Sequence, residues 1–201
     1  MASDHPLPGA TDSASSFSIH ESGWLTPARH CLSPHCDARP GNPTIDLLVI
    51  HGISLPPGKF GGPWIEKLFL GELPPAADPY FATIAHLRVS AHLLIRRDGE
   101  VVQYVPFTQR AWHAGESAFE GRERCNDFSI GIELEGADEV PYAEPQYLVL
   151  ARIIQKIMQT YPGITRTRIV GHSDIAPGRK TDPGEYFDWP KLSSLLKLTA
   201  R

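Results

Sequence analysis

Ser90-Ala91-His92-Leu93-Leu94-Ile95-Arg96-Arg97-Asp98-Gly99-Glu100-Val101-Val102-Gln103-Tyr104-Val105 sets two β-prone runs on either side of an Asp-Gly dipeptide. Asp-Gly between such runs predicts an antiparallel hairpin closed by a type I′ turn, whose two central residues need positive φ. Further along, residues 128–135 alternate with the period of a strand. Phe128, Ile130, Ile132 and Leu134 share one face; Ser129, Gly131, Glu133 and Glu135 share the other. Apolar runs at 45–50 and 168–171 read as two more buried strands. Tyr147, Leu150, Ile154, Ile157 or Met158, and Tyr161 fall at helical spacing, which predicts a long helix over 145–161 stopped by Pro162. Shorter helices are expected over 64–70, just after Pro63, and over 78–87, where Asp78 caps and Pro79 takes the first helical position. Asp188 caps a final helix reaching about Leu198. The order is strand, helices, hairpin, strand, long helix, strand, loop, helix. It predicts an α/β fold, a single domain with a central mixed β-sheet flanked by helices.

Composition narrows the possibilities. A chain of 201 residues, 41% of them hydrophobic, has enough apolar material for one domain with a real core. Its 19 prolines and 17 glycines point to many loops. A formal charge of −4 gives no overall pull toward nucleic acid or an anionic membrane, so neither partner is expected. No run approaches the ~20 apolar residues of a membrane span. Residues 1–20 are rich in Asp, Pro, Ser and Gly, without a basic start or an apolar centre. They read as a disordered extension rather than a secretory signal, leaving residues 21–201 as the folded domain of a cytoplasmic, monomeric protein. Residues 21–43 show no periodicity and are expected to pack on the domain through Trp24 and Leu25. Cys31, Cys36 and Cys125 cannot all pair within one chain, and a zinc knuckle at Cys31-x4-Cys36 lacks a second ligand pair, so reduced thiols are favoured.

The chemistry concentrates in Gly171-His172-Ser173-Asp174-Ile175-Ala176-Pro177-Gly178-Arg179-Lys180-Thr181-Asp182-Pro183-Gly184. Pro177 and Pro183 argue against a regular helix, so this is expected to be a shaped loop following a strand. His51 closes the other apolar run, Leu47-Leu48-Val49-Ile50. Two histidines at strand ends, with Asp182 ten residues beyond the second, supply the three ligand types of a catalytic zinc site that leaves one position open. Glu133 and Glu135 point the same way from one strand, and the pattern alone does not choose between them as the catalytic carboxylate. Asp174 is a rival carboxylate better suited to supporting His172 from behind.

The stretches LLVIHGISLPPGKFGGPWI, AHLRVSAHLLIRRDGEVVQYVPF, RAWHAG, GRERCNDFSIGIELEG and GHSDIAPGRKTDPG together resemble the zinc-dependent N-acetylmuramoyl-L-alanine amidases of the T7-lysozyme-like type. Within them the chain most resembles the cytoplasmic branch acting on 1,6-anhydro-muramyl peptides, from about residue 23 to 189. The resemblance implies a Zn²⁺ cofactor held by His51, His172 and Asp182, a catalytic carboxylate at Glu133 and a catalytic ammonium at Lys180. It implies a small muropeptide substrate, a place in peptidoglycan recycling, and an influence on β-lactamase induction. Beside it, Arg88 and Arg124 suit the peptide's carboxylates through their planar forks. Trp112 offers a flat face to a sugar or stem peptide, and His113 reads as a pocket wall. Where the family carries Asn after the first ligand histidine, this chain has Gly52; that removes a side-chain amide and is expected to loosen loop 52–63. A non-catalytic peptidoglycan-binding module would lack a ligand or the Glu–Lys pair. An envelope amidase acting on intact wall would show a signal or lipid-anchor cysteine. A zinc metallopeptidase would show H-E-x-x-H.

Overall fold

Every residue of the alternating segment Ser129–Glu135 is buried, because it is an inner strand of a sheet covered on both faces. The structure is a computed structural model that describes residues 16–198. The main sheet contains β1 (Arg29–His30), β2 (Leu47–Ile53), β3 (Leu93–Ile95), β4 (Val101–Gln103), β5 (Ser129–Glu135) and β6 (Ile169–Gly171), in the spatial order β6-β2-β5-β3-β4-β1. Strands β6, β2, β5 and β3 run parallel, β3 and β4 form the antiparallel hairpin, and β1 lies parallel to β4. The helices are α1 (Trp64–Phe69), α2 (Pro79–Ile84), α3 (Glu144–Thr160), α4 (His172–Ile175) and α5 (Trp189–Leu198). This is the mixed α/β architecture the sequence pattern implies.

One face of the sheet carries Leu48, Ile50, Leu93, Ile95, Ile130, Ile132 and Leu134. They pack against Leu150, Ile153, Ile154 and Ile157 of α3 and Leu192 and Leu196 of α5. Gln146 at the start of α3 is fully buried, and its amide donates to the carbonyls of Ile95 and Glu135 (both 3.1 Å), tying the helix to two strands. The opposite face holds two smaller clusters. Leu94, Val102 and Tyr104 meet Ile65, Leu68, Phe69 and Phe81 of α1 and α2. Leu47 and Val49 meet Ala114, Cys125, Phe128 and Ile175. Leu47 and Val49 share their face of β2 with His51, and that face is where the chemistry-bearing residues gather.

Local details refine the sequence reading. The Asp-Gly hairpin forms, but with three residues between its paired ends: Arg96 N–H donates to Glu100 O and Gly99 N–H to Arg96 O (both 2.9 Å). Only Gly99 adopts positive φ, at 92°, so the turn is not type I′. The Asp98 carboxylate accepts the Glu100 N–H (2.9 Å), a local bond that favours this wider turn. Asp78 caps α2 as expected, accepting from Tyr80 N–H (2.8 Å), though the helix ends at Ile84. Asp188 likewise accepts the Lys191 N–H (2.8 Å). Residues 172–175 make one helical turn where a non-helical loop was expected. The turn finishes before Pro177, and Asp174 Oδ2 closes it by accepting the Gly171 N–H (2.7 Å). Of the extension expected over 1–20, residues 1–15 lie outside the described residues. Ser18–Ile19 pairs with Leu25–Thr26, and Phe17 and Ile19 pack on the main core, so ordered chain begins before residue 21.

Candidate metal centre

Strand register places the key groups side by side. His51 and Glu133 are direct partners across β2 and β5, and Gly171 is opposite Ile50, so His172 follows β6 at the level of His51. The loop then folds back: the Ser173 N–H donates to the Asp182 carbonyl (3.0 Å), returning Asp182 to the start of α4. As a result, His51 Nδ1, His172 Nδ1 and Asp182 Oδ2 form a small triangle with sides of 3.0, 3.2 and 3.1 Å. His51 and His172 are buried, and Asp182 is partly so.

The triangle fits a zinc ion. Tetrahedral zinc bound at about 2.0–2.1 Å separates its donors by roughly 3.3 Å, close to the distances seen. The tautomers agree. His172 Nε2 faces the carbonyl of Ala114 (3.1 Å), which can only accept, so the neutral ring carries its proton there and turns the Nδ1 lone pair inward. Burial pushes His51 down to about 4, which keeps it a neutral imidazole, the form that binds metal. Two inward lone pairs and a carboxylate oxygen this close repel one another unless a cation lies between them.

The two glutamates separate cleanly. Glu135 accepts from the N–H of Gly61 (2.7 Å), Arg96 (3.3 Å) and the N–H of Arg97 (3.4 Å), so it ties the glycine-rich loop to the hairpin. Among the described residues Glu133 Oε2 is buried with no hydrogen-bond partner, and the side chain lines the same cleft as the triangle. Burial pushes its carboxyl well above the usual range; the Asp182 charge adds to the rise and the Lys180 ammonium opposes it. Lys180 lines this cleft from the exposed side. The cleft measures ≈ 570 Å³, with Leu55, Tyr80, Ile84 and Leu87 forming an apolar wall opposite the polar groups. Asp174, expected to support His172, instead bonds the backbone at Gly171.

Residues 40–185 match the N-acetylmuramoyl-L-alanine amidase family. The chain belongs to that family. It is 61% identical over 176 residues to the 1,6-anhydro-N-acetylmuramyl-L-alanine amidase AmpD of Escherichia coli (strain K12), covering 88% of this chain and 96% of the relative. A crystal structure of a selenomethionine AmpD derivative superposes with a TM-score of 0.86 at 59% identity, covering 89% of this chain and 99% of that one. The amidase AmiD from E. coli, solved with the substrate anhydro-N-acetylmuramic acid-L-Ala-D-γ-Glu-L-Lys, gives a TM-score of 0.57 at 30% identity. That match covers 88% of this chain and 65% of AmiD. The protein is therefore an amidase, a hydrolase of carbon–nitrogen bonds.

The other residues singled out in the sequence sit at varied distances from this cleft. Of Arg88, Trp112, His113 and Arg124, the amidase brings only His113 to the cleft wall. His113 also approaches the triangle, its Nδ1 lying 2.9 Å from His51 Nε2. Trp112 is held by the protein itself. Its indole N–H donates to Asp37 (3.0 Å), His35 stacks on it, and the exposed Arg88 guanidinium lies 5.3 Å above the ring. Arg124 is exposed, pairs with Asp127 (3.2 Å), and lines a neighbouring hollow of ≈ 660 Å³ that shares Arg179 with the cleft. Sequence reasoning missed Tyr142. Its hydroxyl donates to the Pro183 carbonyl (2.8 Å), next to Asp182, and a Cβ at Gly52 would overlap that hydroxyl. Gly52 thus makes room for a strut beneath the metal-facing loop. Asn126 was also missed; its Oδ1 accepts the N–H groups of His113 (3.1 Å) and Ala114 (2.8 Å). Tyr142 lies outside the stretches that carry the family resemblance, and Asn126 lies inside one, residues 121–136, without any residue pattern that announces such a role.

Proposed function

We propose that this amidase hydrolyses the bond between the lactyl carbonyl of N-acetylmuramic acid, in its 1,6-anhydro form, and the amino group of L-alanine. The observation that carries the reading is the donor triangle of His51, His172 and Asp182 beside the unpartnered Glu133 carboxylate. When bound to those three side chains, Zn²⁺ supplies Lewis acidity to the scissile carbonyl and makes water nucleophilic at neutral pH. The family resemblance and this chain's own set of two imidazoles and a carboxylate support that choice of metal.

Glu133 acts first as base, taking a proton from the attacking water, and then as acid, returning it to the departing L-alanine nitrogen. Burial raises its pKa, which favours holding the proton between those two steps. Lys180 lines the cleft where negative charge develops on the carbonyl oxygen and stabilises it. Arg88 and Arg124 receive carboxylates of the stem peptide, and Trp112, fixed by Asp37, stiffens the rim beneath Arg88. The substrate is a soluble muropeptide and the setting is cytoplasmic recycling of cell-wall fragments, with the protein acting as a monomer independently of nucleic acid and membrane. By the same reading its loss would raise muropeptide levels and induce β-lactamase. No helix among the described residues is long and apolar enough to cross a membrane.

Mass spectrometry of products tests the reading. Zinc-loaded protein is given anhydro-muramyl peptides, their non-anhydro counterparts and intact sacculi in parallel. Release of free stem peptide beginning with L-alanine, fastest from the anhydro substrates, is expected. Cleavage of sacculi alone would identify a wall-acting amidase, and no cleavage of any substrate would end the proposal.

A further inference from the structure

Both metal-facing imidazoles are held from behind by one short segment, His113–Ala114. His51 Nε2 lies 2.9 Å from His113 Nδ1, and His113 Nε2 lies 3.1 Å from Ser129 Oγ. His172 Nε2 lies 3.1 Å from the Ala114 carbonyl, which also accepts from Arg179 (2.6 Å). The segment itself is fixed by Asn126, whose Oδ1 takes the backbone N–H of both His113 and Ala114. Since both contacts come from N–H groups, the Asn126 amide must present its oxygen here. The sheet also leaves space for the His113 ring: a Cβ at Gly131 would overlap it, so a side chain at that point of β5 would expel the imidazole.

Resting on the zinc reading above, we propose that His113 is a positioning residue for the metal ligand His51, rather than a wall that contacts substrate. His113 Nδ1 accepts the His51 Nε2–H, which turns the His51 Nδ1 lone pair toward His172 and Asp182. The His113 proton then sits on Nε2 and is donated to Ser129 Oγ. Ala114 does the equivalent for His172 through a carbonyl, so one chain segment sets the tautomer of both imidazoles. A ligand imidazole whose second nitrogen is anchored keeps its ring orientation, and losing such an anchor typically weakens metal binding about 10–100-fold. Gly131 and Asn126 act one step further out, the first by leaving room and the second by fixing the backbone.

The test compares zinc affinity, by chelator competition, in wild type, His113→Leu and His113→Asn. Asn places an acceptor oxygen near the position of Nδ1, whereas Leu fills the space without one. We expect about 10–100-fold weaker zinc binding in His113→Leu, recovery to within a few-fold of wild type in His113→Asn, and unchanged thermal unfolding of the metal-free proteins. Equal affinity in wild type and His113→Leu, or a KM increase as the sole effect, would overturn the positioning role. ¹⁵N NMR of the zinc-loaded wild type gives a reading that does not depend on how either variant folds. The His113 proton should be found on Nε2, and finding it on Nδ1 refutes the proposal. Wild-type protein that binds no zinc would instead refute the zinc reading itself, which separates the two failures.

Discussion

The two faces of the central sheet are made by the same strands under different rules. Toward α3 and α5, Leu48, Ile50, Ile130, Ile132 and Leu134 join one continuous apolar layer. On the other face, apolar packing is split into two smaller clusters. Between them lie the buried polar residues His51, His92, Ser129, Glu133 and His172. Burying such groups is costly unless each finds a partner. Most of them do, His51 and Ser129 through His113, His172 through Ala114 and His92 through Gly131 and Gln109, and among the described residues the exception is Glu133 Oε2, on the cleft. One face supplies stability, and the other spends part of it on a site.

That contrast can be broken from either side. The largest effect is expected on the polar face: His172→Ala should lose zinc and activity together, with kcat/KM down ~10³-fold or more as several kcal/mol of charge stabilisation vanish. Metal content by mass spectrometry and a turnover assay check this, and a metallated, active variant would contradict the ligand assignment. Next, Glu133→Gln and Lys180→Ala should retain zinc while losing about 10²–10⁴-fold and about 10²–10³-fold in kcat. Wild-type rates in both would remove the proposed roles. On the apolar face, Ile132→Ala should cost about 2–5 kcal/mol in denaturant unfolding and leave the zinc affinity of the folded protein unchanged. A large loss of affinity there would mean that the faces are not separable.

The last effect is a pH dependence, small per pH unit. His92 accepts the Gly131 N–H at Nδ1 and donates from Nε2 to Gln109 O, with the Arg39 guanidinium 3.2 Å away. Burial pushes it down to about 3, and the Arg39 charge adds to the shift. Folded protein therefore keeps His92 neutral while the unfolded chain protonates near pH 6.5. The unfolded state binds more protons between those values, so stability should fall by up to ~1.4 kcal/mol per unit as pH drops through that window. Urea unfolding at several pH values should show a shallower slope in His92→Gln than in wild type; identical slopes would exclude His92 as the source.

Much of this was legible in the sequence because period and punctuation are local signals. The alternation over 129–135, the helical spacing at 145–161 and the caps at Asp78 and Asp188 each needed only neighbouring residues. Phe128, read onto the face of Ile130, instead joins the opposite cluster, because the strand begins one residue later. The donor triangle was reachable from strand-end histidines aided by family resemblance. Glu133 and Glu135 were indistinguishable for a physical reason: both lie on one strand face, and the groups that occupy Glu135, Gly61 and Arg96, come from distant segments. Tyr142 and Asn126 stayed hidden for the same reason, since their significance lies in Pro183, His113 and Ala114. The hairpin turn was misjudged because Asp98 satisfies its own backbone in a way the dipeptide alone does not reveal.

Strand β5 has no residue that faces solvent. Its even positions pack the apolar layer, while its odd positions meet His113 (Ser129), leave room for that ring (Gly131), line the cleft (Glu133) or tie the glycine-rich loop to the hairpin (Glu135), so no substitution along it is free to drift. A slip of one residue against β2 would exchange the two sets, sending the Glu133 carboxylate into the oily layer beneath α3 and an isoleucine to the cleft. Exhaustive mutagenesis of the chain should therefore show these seven positions as a continuous band of intolerance, with adaptation to new substrates confined to the surrounding loops.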